Sequence, residues 1–397
     1  MKELDRLTVP RTVWALGLVS LFMDLSSEII HALLPLFLTT TLGASVAVVG
    51  LIDGVAESTA SISKVFSGYF SDRFGRRKPL ILLGYGLGAL SKPFFALAGT
   101  ATMVMGARFA DRIGKGIRGA PRDALIADVT PLAIRGRAFG LRQTLDTIGA
   151  FVGPLLAIGL MVLLANDMRS VFWIATIPAF IAVLLIVFSV NDREAQDTAA
   201  RPPVRMRDIS RFDMAFWIIV VIGVVFTFAR FSEAFLVLKA AAEGLPLALA
   251  PLVLVAMNLV YSLGAYPAGV LSDRTDGRHL LICAMACLVF ADLILAFVPG
   301  LFGAFAGIAL WGLHMALSQG LLAKLIADRA PETLRGTAYG VFNLATGVAL
   351  LLASVTAGLL WDRMGPDATF IAGAVFAGAA MVMLAFMSSH RARASRS

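Results

Sequence analysis

Two cysteines and four histidines in 397 residues leave little material for several kinds of chemistry. Cys283 and Cys287 sit four apart inside one apolar run and lack the Cys-x-x-Cys form of a redox or zinc motif, so they read as packing residues. The histidines are isolated, no nucleophile-elbow motif occurs, and no Cys- or His-rich loop is present, which argues against a membrane enzyme and against a resident metal or organic cofactor. Charge is absent from the short breaks at 39–45 and 98–102, and only one long polar stretch interrupts the chain, at 191–212.

What is abundant is apolar. Hydrophobic residues make up 58% of the chain and the mean hydropathy is +0.84, where an ordinary soluble domain is about half apolar. A spanning helix needs roughly 20 mainly apolar residues. Twelve such runs are present, near 12–41, 46–71, 79–99, 102–126, 136–164, 168–190, 213–240, 246–271, 280–298, 301–328, 336–361 and 366–388. The expected class is an all-α multi-pass membrane protein. The first run is about twice the length of a signal-peptide core and carries Asp24 and Glu28, so it is expected to remain as a span.

The net charge of +8 does not point to nucleic acid, because Lys and Arg fall in alternate loops. Lys2, Arg6 and Arg11 precede the first span, Arg73 to Lys78 follow the second, and further clusters lie after the fourth, in the 191–212 stretch and in the tail at Arg391, Arg393 and Arg396. Both termini are therefore expected in the cytoplasm. The 191–212 stretch divides the spans six and six, giving an N-terminal bundle at 1–190, a linker at 191–212, a C-terminal bundle at 213–390 and a basic tail at 391–397.

The halves echo one another. Ile126 to Gly140 aligns with Ile326 to Gly340 with eight of fifteen positions identical, and Gly68-Tyr-Phe-Ser-Asp-Arg73 returns as Gly269-Val-Leu-Ser-Asp-Arg274. Such duplication suits a carrier whose two bundles rock about a site at the membrane midplane. The chain resembles the major facilitator superfamily over nearly its full length. Gly68, Asp72, Arg73, Gly75, Arg76 and Arg77 match that family's motif A, and the second copy keeps Gly269, Asp273, Arg274 and Arg278 but has Asp276 in place of a glycine. Gly140, Gly149, Gly153 and Pro154 match the spacing of its antiporter motif C, with Ala157 departing from the longer pattern. The family's arginine motif in span four is kept at Arg108 and Gly114, but Asp111 and Arg112 replace Gln and Gly.

The resemblance implies twelve helices in two pseudo-symmetric six-helix bundles and a monomeric secondary transporter working by alternating access in the inner membrane. Motifs A and C together point to a proton-coupled antiporter exporting a small organic or toxic compound. The alternative is a carrier of an organic anion, metabolite or divalent metal, in either direction. The charged fourth span favours the anion, while Asp24, Glu28, His31 and His314 offer donors that suit a transition metal. The expected partners are a small-molecule substrate, protons and membrane lipid, with no nucleic acid.

Ionisable groups inside spans cost about 2.5 to 3.5 kcal/mol each and need partners or a purpose. Asp24, Glu28 and His31 share one face of the first span, and Asp53 and Glu57 one face of the second. For proton coupling the candidates are Asp24 and Glu28, with Arg108 or Arg112 as modulating charges and Asp146 as a weaker acid beside Arg142. A purely structural pairing is the competing reading for each. Substrate contacts are expected from His31, Asp53, Glu57, Asp111, Arg230, Glu233, Trp311 and His314. Gating is expected of Gly68, Asp72, Arg73, Gly75 and Arg77 with Asp123 and Asp128, of the helix-packing Gly149, Gly153 and Pro154, and of Asp273 and Arg274. In motif A a carboxylate at Asp72 can face the positive N-terminal end of a helix from the other half.

Overall fold

The computed structural model describes residues 8–74, 77–190, 209–275, 277–318, 321–331 and 334–394; for 64–66, 68–74, 272–274, 323, 327, 335–336 and 387–394 it describes the backbone alone. These residues form helices joined by short non-helical breaks. The helices are α1 (Arg11–Leu36), prolonged by a π-helical turn at Phe37–Thr41, α2 (Val46–Phe74), α3 (Lys78–Leu97), α4 (Ala101–Val129), α5 (Arg135–Leu163) and α6 (Met168–Ser189). In the second half they are α7 (Met214–Ala229), α8 (Ala234–Ala242), α9 (Leu252–Arg274), α10 (Gly277–Phe297), α11 (Gly300–Ser318), α12 (Leu321–Ala327), α13 (Arg335–Met364) and α14 (Pro366–Ala394).

Their starts follow from local chemistry. Thr100, Asp167 and Asp213 each accept a backbone N–H from the first turn that follows, which satisfies donors that a helix leaves open. Among the described residues, eleven segments are long and apolar enough to cross a membrane. The twelfth span is α4, as long as its neighbours but lined with Arg108, Asp111, Arg112, Lys115, Arg118, Arg122 and Asp123.

The chain forms two compact units, residues 1–37 with 59–203 and residues 38–58 with 204–397. The early part of α2 therefore belongs by its contacts with the second half of the sequence. The linker expected at 191–212 lies mostly outside the described residues. In unit 1, α1 packs on α5 and α6, and α3 on α4 and α6. In unit 2 the helices in equivalent order repeat this scheme, with α7 on α13 and α14, and α10 on α11 and α14. That repetition is the pseudo-symmetry implied by the echo between Ile126–Gly140 and Ile326–Gly340.

Unit 1 buries Val13, Leu16, Val19 and Met23 of α1 against Ile81, Tyr85 and Ala89 of α3 and Ala179, Ala182 and Ile186 of α6. Unit 2 buries Phe212, Phe216 and Ile219 against Ile326, Ala338 and Phe342.

The seventh span differs from the single helix expected at 213–240: it is broken between α7 and α8 at Arg230, Phe231, Ser232 and Glu233. The groups freed by the break find partners. Ser232 Oγ accepts from Ala234 N–H at 3.1 Å and donates to Asp53 Oδ2 at 2.7 Å, while Ser232 N–H donates to Ser354 Oγ at 3.2 Å. Irregular backbone at membrane depth persists only where protein satisfies it in this way.

Candidate functional site

The charges of α4 are received by glycines of α3. A Cβ placed on Gly84 would lie 2.7 Å from Arg118 Cβ and from the Gly114 carbonyl oxygen, and one on Gly88 would lie 3.1 Å from Arg118 Nη1. Small residues four apart let two helix backbones approach closely. In that seam Lys92 Nζ donates to Asp111 Oδ1 at 2.8 Å and to Ser27 Oγ at 2.9 Å. Arg112 Nε stands 4.0 Å from the other Asp111 oxygen. Arg118 stacks over the Tyr85 ring at 4.4 Å, and its buried Nη1 has no hydrogen-bond partner among the described residues. Arg122 donates to Asp123 at 3.0 Å, Ser20 Oγ at 3.1 Å and the Tyr85 hydroxyl at 3.3 Å.

Beside this lattice, wholly within unit 1, lies a cavity of about 260 Å³. Its charged lining is Asp24 of α1, Lys115, Arg118, Arg122 and Asp123 of α4, and Arg142 and Asp146 of α5. Ala60, Ser61, Gly116 and Gly119 complete it with small side chains. Asp24 and Asp146 are neighbouring acids of this lining, and Arg142 Nη2 is 3.0 Å from Asp146 Oδ1. Four cations thus face three acids across a space large enough for a compact solute.

The expected residues separate into groups. Asp24 and Asp146 meet in the cavity. Glu28 does not line it; its carboxylate is 3.6 Å from His31 Nδ1, and its Cβ packs where Gly153 leaves room. Arg108 and Arg112 are buried in α4 and do not line the cavity either. Asp111 serves the Lys92 pair. Arg77 donates to Asp128 at 3.2 Å, while Asp123 is engaged by its neighbour Arg122. Gly149, Gly153 and Pro154 are buried on α5, and a Cβ on Gly149 would lie 2.5 Å from the Leu21 carbonyl oxygen of α1. Gly68, Asp72 and Arg73 on α2, and Asp273 and Arg274 on α9, are described by backbone only, and Gly75 lies outside the described residues.

The remaining substrate candidates sit in unit 2. Asp53 anchors Ser232, and Glu57 is half-buried one turn further along α2. Arg230 and Glu233 flank the break, with Arg230 placed 5.6 Å over the Phe226 ring. Trp311 packs against Phe231 and edge-on to the buried His314, with ring centroids 5.5 and 5.4 Å apart. Lys92, Tyr85, Arg118 and Asp292 went unmarked as site residues. Lys92, Tyr85 and Asp292 are polar groups within apolar spans, the signal that costly burial supplies, while Arg118 is one of the many charges of α4. Asp292 is fully buried against Gly373, and neither carboxyl oxygen has a hydrogen-bond partner among the described residues.

Two repeated helical bundles in a membrane, with a polar cavity and a broken span, define a non-enzymatic solute carrier. The family model of the Major Facilitator Superfamily matches residues 16–348 and 222–397, and the chain belongs to that family. It is 29% identical over 394 residues to an uncharacterized MFS-type transporter of Methanocaldococcus jannaschii, covering 97% of this chain and 96% of the relative. It is 24% identical over 335 residues to the multidrug resistance protein MdtL of Shigella flexneri, covering 81% of this chain and 79% of the relative. Among solved structures, a POT family transporter in complex with a thioalcohol-conjugated peptide superposes with a TM-score of 0.79 at 13% identity, covering 97% and 96% of the two chains. That likeness shows the shared fold.

Proposed function

We propose that the chain is a proton-coupled secondary transporter, working by alternating access, whose cargo is a small organic anion. The carrying observation is the unit 1 cavity, where Lys115, Arg118, Arg122 and Arg142 outnumber Asp24, Asp123 and Asp146. A carboxylate or phosphate oxygen is the group that a guanidinium binds most strongly. The Asp24–Asp146 pair supplies the coupling. Two neighbouring carboxyls hold one proton between them, and the charge of the pair then depends on that proton. With the proton present the cavity is more positive and Arg142 is less tied to Asp146. An anion and a proton therefore bind together, and the linkage is that of cotransport.

A second reading, proton antiport exporting a small organic compound, has its own support. Gly149 and Gly153 bring α5 tightly onto α1 in the spacing of the antiporter motif, and the chain is similar to a multidrug resistance protein. The alternating basic loops support an inner-membrane placement with both termini in the cytoplasm.

The two readings differ in the sign of coupling. Purified protein in liposomes, loaded in turn with inorganic phosphate, phenylphosphate, citrate and benzoate, is expected to move protons in the same direction as at least one of these anions. Arg118→Gln and Asp146→Asn are expected to abolish that coupled flux. Protons moving opposite to the solute would establish antiport. Flux of tetraphenylphosphonium with none of the anions would remove the anion reading.

A further inference from the structure

One acid in unit 2 is buried with nothing to hold it. Asp292 of α10 has no exposed surface, and among the described residues neither of its carboxyl oxygens has a hydrogen-bond partner. A carboxyl left unpaired inside a span is costly and marks a place where something other than the fold completes it. What the group faces is therefore informative. Gly373 of α14 makes room for it: a Cβ there would run into Asp292 Oδ2 and lie 3.1 Å from Phe231 Cε1.

Gly373 and Phe231 are also walls of a small cavity built by the end of α7, by α13 and by α14, all within unit 2. Phe228 and Phe376 pack at another wall with ring centroids 5.1 Å apart. Thr369, one turn before Gly373 on the same face of α14, donates its hydroxyl proton to the Ala357 carbonyl at 2.9 Å, so its lone pairs are left to accept. The site thus gathers a carboxyl, a hydroxyl acceptor and three aromatic rings, and its described lining includes no cation. The enclosed space is about 10 Å³, room for one water-sized group. A primary ammonium is that size, and a trimethylammonium is not.

Thr356 stands exposed at the mouth, and Leu352 and Leu359, one turn to either side of it on α13, are exposed as well. Such an apolar face on a spanning helix meets lipid, so the mouth opens to the bilayer. Asp292 lies five residues before the end of α10, and Gly373 lies seven residues after the start of α14. At about 1.5 Å per residue, both are roughly 8 to 10 Å in from the helix ends. From Thr369 to Phe376 the lining passes from polar to aromatic with depth. An amphiphile in the bilayer has the same order of groups, head outward and chain inward.

We propose that this cavity binds a long-chain primary amine entering from the bilayer, its ammonium paired with Asp292 and Thr369 Oγ1 and its chain lying along Phe228 and Phe376. The ammonium supplies the partner that the carboxyl lacks, and the ring faces favour the same charge. The site stands apart from the anion cavity of unit 1 and does not depend on the sign of coupling there.

The test measures binding of radiolabelled dodecylamine to the full chain in phosphatidylcholine nanodiscs, with binding to empty nanodiscs subtracted. One saturable site per chain is expected. Asp292→Asn, and Gly373→Ala, whose Cβ displaces the carboxyl, should each weaken binding by roughly 10-fold or more, the loss of a charge-assisted contact. Thr356→Trp should weaken it by covering the mouth, and as a surface change it decides the matter if the buried variants fail to fold. Dodecanol, which has no charge, and dodecyltrimethylammonium, which is too wide, should not displace the label. Absence of saturable binding would overturn the site, as would binding unmoved by both Asp292→Asn and Thr356→Trp. Displacement by dodecyltrimethylammonium as effective as that by unlabelled dodecylamine would also overturn it, because the label would then occupy a wider space.

Discussion

Removing the acid from the Lys92–Asp111 pair should damage the protein more than removing the base. The two side chains meet at 2.8 Å and are 2% and 4% exposed, so neither has water to fall back on. Asp111→Asn leaves Lys92, Arg112 and Arg118 in one seam without their shared carboxylate, and breaking a buried pair in this way costs about 3 to 5 kcal/mol. Lys92→Met leaves Asp111 with Arg112 and Arg118, and the loss shrinks to that of a charge-assisted hydrogen bond, about 1.5 to 3 kcal/mol. Unfolding of the purified variants by titration with SDS, followed by tryptophan fluorescence, measures both. A Lys92→Met variant as unstable as Asp111→Asn, or more so, would refute the claim that cations exceed acids in this seam.

Other consequences test the packing and the surface clips. Gly149→Ala should destabilise by about 1 to 3 kcal/mol, because its Cβ meets the backbone of α1 at Leu21. Gly140→Ala, with nothing within 4 Å, should be neutral or slightly stabilising despite belonging to the same motif; the SDS titration decides both. At the end of α8, Glu243 accepts from Lys239 and from Gly300 N–H, and the Lys239 ammonium above all holds its carboxyl below the usual range. Because that pKa is depressed, the clip contributes fully above the ordinary carboxylate value of about 4.3 and fades as pH falls through the lower folded value. The stability gap between parent and Glu243→Gln should therefore be constant from neutral pH down to about 5 and close only in stronger acid.

Much of the fold was readable because spanning helices announce themselves by length and apolarity, and the repeat of Ile126–Gly140 at Ile326–Gly340 exposed the two bundles. The break in the seventh span was not readable, since Arg230-Phe-Ser-Glu233 carries neither Gly nor Pro. Its partners, Ser354 and Asp53, stand 122 and 179 residues from Ser232, and only folding brings them near. At the site, the charges of α4 were visible but their pairing was not. Which base lies nearest Asp111 depends on Gly84 and Gly88 admitting α4 close to α3, and that contact brings Lys92 within 2.8 Å while Arg112 of α4 itself stands at 4.0 Å. Asp24 and Asp146 were both named as acids, yet their meeting depends on how tightly Gly149 and Gly153 seat α5 on α1. Glu28, one turn from Asp24, is drawn instead to His31.

Calorimetric titration of the purified protein with phenylphosphate, in two buffers of different ionisation enthalpy at one pH, reads affinity and proton exchange together. An anion seated among Lys115, Arg118, Arg122 and Arg142 should bind with net proton uptake, and Arg118→Gln should weaken it by roughly 10-fold or more, as expected for loss of a charge-assisted contact worth about 1.5 to 3 kcal/mol. Binding accompanied by proton release, or left unchanged by Arg118→Gln, would contradict an anion site coupled to the Asp24–Asp146 pair.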